Sequence, residues 1–179
     1  MSSKTNNEEP AEPDLQMTLD MNILQHLGLK IYSSLPAVIS EYVANAWDAG
    51  ATEVDIEVPQ KQMDDDYEIV IEDNGFGMDY DEVENKFLVV GRNRRDAEGT
   101  DVIEVRGNKR PVMGRKGIGK LAGFGVAGKV IVRTIKDGKF VEFVLDYAQM
   151  KERGNEDDPA DTSSYSPEVV DYGFDEERD

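Results

Sequence analysis

The chain has 179 residues, 38 acidic against 20 basic, for a formal net charge of -18, and is long enough for one domain with its own core. The absence of cysteine excludes a disulfide framework and a thiolate metal site. No apolar run approaches the roughly 18 residues of a membrane span and the first residues lack a signal-peptide core, so a cytoplasmic protein without a membrane partner is expected.

Leu15 to Leu27 reads as a first amphipathic helix, with Leu15, Leu19, Ile23 and Leu27 at steps of four and Gly28 as its stop. It carries His26, the single histidine, to which no role is assigned. A second helix begins near Ser34, tolerates Pro36 in its first turn and ends at Ala49-Gly50. Within it Glu41, Asn45 and Asp48 stand at i, i+4 and i+7, a strip roughly 60° wide at about 100° per residue. Leu35, Val38, Ile39, Tyr42, Val43 and Ala46 take the other faces, and the small Ala37 and Ala44 flank the strip, leaving room for a ligand.

Thr52 to Val58 alternates apolar and acidic residues as a half-buried strand does. Tyr67 to Asp73 is the next strand, richer in consecutive apolar residues and so expected to be more central, and it runs into Asn74-Gly-Phe-Gly77. Asp79 caps a short helix to Phe87. From residue 91 to 116 no period is legible, and a stretch of that length within a domain reads as a lid. Residues 92–120 hold nine bases against four acids, a basic segment that suits a compact anion better than a nucleic-acid track, so direct nucleic-acid binding by this domain is not expected. Gly117 to Ala127 reads as a small-residue helix. Lys129 to Ile135 and Phe140 to Asp146 are strands joined through Asp137-Gly138, a strong hairpin signal. The ends are acidic, four acids and one base in residues 1–14 and eleven acids and three bases in 150–179, and read as flexible tails around a domain at 15–149. The order predicts an α+β two-layer sandwich, a mostly antiparallel sheet with helices on one face and a ligand between the layers.

Taken singly, the polar strip could be a solvated helix face and Asp73-x-Gly75-x-Gly77 a turn. Gly114-Arg-Lys-Gly-Ile-Gly-Lys120 is not a Walker A loop, because Leu121 stands where the magnesium-binding hydroxyl belongs. Nor is it a dinucleotide fingerprint, which needs a preceding buried strand and a later acidic residue. What these motifs share is backbone N–H groups at a helix N-terminus, here with a lysine, able to cradle phosphates. In this order and spacing the three stretches resemble the nucleotide site of the ATPase superfamily that includes gyrase B, the large heat-shock chaperones, histidine kinases and MutL. Asp48-Ala-Gly-Ala-Thr52 looks most like the MutL and MORC branches, and the segment from Gly91 to Gly117 most like MORC-like ATPases.

The resemblance implies the Bergerat-type fold of that superfamily, ATP and Mg²⁺ as ligands, and slow hydrolysis by an N-terminal domain that dimerises with ATP in a larger protein. It implies Glu41 as general base and Asn45 as a Mg²⁺ ligand. Asp73 would take the adenine amine with Gly75, Gly77 and Met78 near the base, and Asp48 would lie close by in a hydrogen-bond network. Gly117, Ile118, Gly119 and Lys120 would hold phosphates, with help from Asn93 or from Arg92, Arg94 or Arg95. Two other roles come second and third: a module gated by ATP or ADP without hydrolysis, and a histidine-kinase catalytic domain. Family members usually add a Gly-Thr pair at the start of a later strand; after Asp146 neither that pair nor a strand is expected, and Thr134 stands too early in the chain to replace it.

Overall fold

A computed structural model describes residues 13–20, 34–59, 67–90, 102–114, 117–153 and 162–174. Every strand pairing in it is antiparallel, in keeping with the α+β class read from the sequence. In chain order the elements are β1 (Met17–Asp20), α1 (Leu35–Asp48), β2 (Val54–Glu57), β3 (Val70–Asp73), the short α2 (Tyr80–Glu82) continuing as a π turn (Val83–Phe87), β4 (Val102–Val105), β5 (Asn108–Pro111), a 3₁₀ segment (Gly119–Gly125), β6 (Lys129–Lys136), β7 (Lys139–Asp146), α3 (Tyr147–Arg153), β8 (Thr162–Tyr165) and β9 (Glu168–Phe174).

The core lies on one face of the sheet β6-β7-β9. Val141, Phe143 and Leu145 alternate along β7 and are fully buried, joined by Val83, Leu88, Leu121 and Met150. The sharp β6–β7 reversal follows from Asp137 and Gly138, both at positive φ (51° and 68°), the backbone that an Asp-Gly hairpin turn demands. Asp79 caps α2 as expected, through a reciprocal pair in which its carboxylate accepts from Glu82 N while the Glu82 carboxylate accepts from Asp79 N.

Three expectations change. Residues 17–20 are strand and not helix: β1 pairs with β8, Met17 opposite Tyr165. Leu15 and Met17 are both buried in the core, and only an extended chain turns residues two apart to one side; burying each is worth about 1.5–3 kcal/mol. The remainder of that proposed helix, His26 included, lies outside the described residues. The expected C-terminal tail holds α3, β8 and β9, with β9 hydrogen-bonded to β7 across a bulge at Glu142/Phe143. The described acids Glu152, Glu168 and Asp171 are exposed, so their charge did not prevent helix or strand formation. The third change concerns β3, which among the described residues pairs only with β2 and keeps Val70 45% exposed, so it is not a central strand.

Of the segment expected to form a lid, residues 102–111 make a β4–β5 hairpin turning at Arg106 and Gly107, both at positive φ. The expected helix from Gly117 is the shorter 3₁₀ segment, packed along α1.

Candidate functional site

Helix α1 organises the site, because it carries the polar strip and both glycine motifs make contact with it or its cap. Glu41 lies over the backbone of Gly119, so closely that a side chain at 119 would overlap its carboxylate. One position on, the Tyr42 hydroxyl accepts from Gly123 N (3.1 Å) and donates to Lys120 O (3.4 Å). Burial pushes the Tyr42 phenol above its ordinary value, against a smaller opposing effect of the Gly123 N–H, so this hydroxyl keeps its proton and can make both bonds. Asp48 accepts two backbone N–H groups, Met113 to Oδ1 and Gly114 to Oδ2, each at 2.7 Å. Asp48 and Glu41 therefore face Met113, Gly114 and Gly119, and Asn45, half-buried, stands between them on the strip.

The Asp73 loop is fastened at both ends. Phe76 N donates to Ala49 O at 2.7 Å, just past the end of α1, and a side chain at Gly75 would stand 2.7 Å from that same carbonyl. Asn74 accepts from Thr52 N and Glu53 N and so ties the loop to the start of β2. Gly77 has φ of 65° and lies flat on the Ile135 carbonyl, a place only glycine fills. Met78 N donates to Thr134 Oγ1 at 2.8 Å. Asp73 itself is exposed, and its Oδ1 accepts from Gly75 N at 2.8 Å. It also borders a shallow depression with Glu53, Asp55, Glu72 and Asn74, whose acidic walls would repel a phosphate and which is not the site meant here.

Gly117 turns at φ of 63°, Ile118 is half-buried, and Gly119 and Lys120 are buried. The Lys120 ammonium does not point into open space: it donates to Val89 O at 2.7 Å and Lys86 O at 3.5 Å and sits 5.5 Å from the Phe87 ring centre. Of the basic segment, Arg110 is likewise committed, stacked 4.2 Å over Trp47 and bonded to Ala51 O at 2.9 Å. Asn93, Arg92, Arg94 and Arg95 lie outside the described residues.

Sequence reasoning missed Tyr42, Trp47 with Arg110, and Thr134. Tyr42 was counted with the apolar faces, although its hydroxyl next to Glu41 was a signal. Thr134 stands too early in the chain to match the expected pair, yet a separation of 56 residues from Met78 closes to one hydrogen bond.

Among the described residues no three acidic or histidine side chains converge as a metal cage, and no helix is long and apolar enough to cross a membrane. The family described as histidine kinase-, DNA gyrase B-, and HSP90-like ATPase matches residues 32–172. A Herpetosiphon aurantiacus protein bearing the name of a type II restriction enzyme, HgiDII, is 38% identical over 155 residues, which cover 87% of this chain and 23% of that relative.

Proposed function

Since the chain belongs to the family of histidine kinase-, DNA gyrase B- and HSP90-like ATPases, we propose that it binds ATP with Mg²⁺ against α1 and hydrolyses it slowly. One observation carries this reading: Glu41 and Asp48 of a single helix, with Ala49 at its cap, each touch a different part of the two glycine motifs. Around them the described residues offer the groups the ligand needs. Among the described residues the side chains of Glu41 and Asn45 are held by no hydrogen bond, and the bare backbone of Gly119 is what lets the Glu41 carboxylate lie against it. Asn45 would give Mg²⁺ one side-chain oxygen, and the ion would take the rest of its hard-oxygen shell from phosphates and water. Bound there, Mg²⁺ supplies charge neutralisation for the phosphates.

Glu41 is the proposed general base, orienting a water and accepting its proton. Asp73 is exposed at the strand end, where its second oxygen can accept from the adenine amine, and Gly75, Gly77 and Met78 shape the floor beneath the base. The turn Gly117-Ile118-Gly119 presents backbone N–H groups to the phosphates. Lys120 holds that turn against residues 86–89; it would reach a phosphate only by leaving the Val89 and Lys86 carbonyls. Of the lid expected at residues 91–116, Arg110, Pro111, Met113 and Gly114 are bonded at and just past the end of α1; closure of the rest over ATP, with Asn93 assisting, and dimerisation of the parent protein complete the proposal. The chain spans about a quarter of its curated relative; that relative's name supports DNA restriction as the process this ATPase serves.

Calorimetric titration with a non-hydrolysable ATP analogue, with and without Mg²⁺, tests binding: Asp73→Asn should abolish it. Glu41→Ala should keep binding and lose phosphate release; turnover at the wild-type rate would remove Glu41 from the base role. Binding without release in the wild type would instead favour a nucleotide-gated module.

A further inference from the structure

We propose that Asp48 is a positioning residue: its carboxylate, backed by Trp47 and Arg110, sets the backbone of Met113 and Gly114, and through them the seat of the phosphate-facing turn, without touching the nucleotide. The inference deepens the reading above and rests on it.

Both Asp48 oxygens are occupied by backbone N–H groups at 2.7 Å, short bonds of the charge-assisted kind. A carboxylate so held is turned toward residues 113 and 114. Gly114 is part of the fit, because even a methyl group there would stand 2.8 Å from Oδ2. Nor is this contact isolated. Trp47 Nε1 donates to Pro111 O at 2.8 Å, Arg110 donates to Ala51 O at 2.9 Å, and the Arg110 guanidinium covers the Trp47 ring at 4.2 Å. Arg110, Pro111, Met113 and Gly114 thus bond to Trp47, Asp48 and Ala51, at and just past the end of α1. Three residues beyond Gly114 the chain reaches Gly117, and two later Gly119 rests on Glu41 of the same helix. The helix therefore fixes the glycine motif at both ends, by Asp48 at the start and by Glu41 and Tyr42 at the finish. A shift at the Asp48 end displaces the turn relative to Glu41 while the Asp73 loop, fastened separately to Ala49 and Thr134, stays where it is.

That separation supplies the test. Affinities of the full chain for Mg²⁺-ATP and for adenosine, measured by competition against a fluorescent ATP analogue, are compared for wild type, Asp48→Asn and Arg110→Met, with thermal melts alongside. An asparagine can accept only one of the two N–H groups and turns its own NH₂ toward the other. Mg²⁺-ATP affinity is therefore expected to fall about tenfold or more in Asp48→Asn, with adenosine within about twofold, and Arg110→Met should show a weaker loss of the same kind. Loss of stability alone would not alter the ratio of the two affinities. Equal losses for both ligands would place Asp48 in the base site and overturn the inference, as would unchanged binding of both. Should Asp48→Asn fail to fold, Arg110→Met, which leaves Asp48 in place, carries the same comparison. If the wild-type chain binds neither compound, the nucleotide reading itself fails and takes this inference with it.

Discussion

Replacing Lys120 by methionine tells whether its ammonium is a staple or a phosphate ligand. The residue is 8% exposed, and its charge is directed at the end of the π turn, 2.7 Å from Val89 O and 3.5 Å from Lys86 O. A hydrogen bond from a charged donor contributes about 1.5–3 kcal/mol, and the Phe87 face, 5.5 Å away, adds about 0.5–1 kcal/mol. The cost of keeping an ammonium out of water opposes both. Methionine retains the length and most of the apolar stem but leaves the Val89 carbonyl without this donor. The net loss should be about 1–3 kcal/mol, which at roughly 2–4 °C per kcal/mol for a domain of this size lowers the melting temperature by about 2–12 °C. Thermal unfolding followed by circular dichroism measures it, and ATP affinity of the same variant completes the comparison. A staple predicts the lower melting temperature with affinity within about threefold. An unchanged melting temperature together with a tenfold loss of affinity would refute the reasoning, because it would mean that the ammonium leaves its carbonyls for a phosphate.

Gly119→Ala pushes against a flexible carboxylate, so Glu41 should swing aside; the chain should melt within about 1 kcal/mol of wild type and bind ATP but release phosphate at least tenfold more slowly. Thr134→Val keeps the volume and removes the acceptor of Met78 N, a loss of about 1–3 kcal/mol; adenosine and ATP binding should weaken in parallel, the opposite pattern to Asp48→Asn. The Glu82 carboxylate is held down from 4.5 to about 2, chiefly by its hydrogen bond from Lys136 and then by that from Lys86. An acid with a depressed value stabilises the fold above its unfolded value and loses that contribution as the pH falls through the folded one. The stability difference between wild type and Lys136→Met, from urea midpoints, should therefore be steady near neutral pH and shrink between about 4.5 and 2; a constant gap across that window would deny the Glu82–Lys136 pair its role.

What could be read from the chain before its structure was local, and what could not was long-range. Glu41, Asn45 and Asp48 share a face because one helical period relates them, and Asp137-Gly138 forces its own turn without help from elsewhere. Leu15 and Leu19 misled because a step of four satisfies a period of 2 as well as one of 3.6. The residue that distinguishes the two is Met17, buried two places after Leu15, and what selects the strand is Tyr165, its partner far along the chain. The same holds for β5, whose Asn-Lys-Arg-Pro has no strand character of its own and is ordered by a hairpin turn and by Trp47 on a distant helix. Asp48 makes the point for function. Its spacing from Glu41 and Asn45 suggested a common ligand, but both of its oxygens are taken by N–H groups 65 and 66 residues downstream. A shared helix face establishes which side chains look the same way; only the partner across the fold decides whether a carboxylate meets the ligand or holds the loop that does.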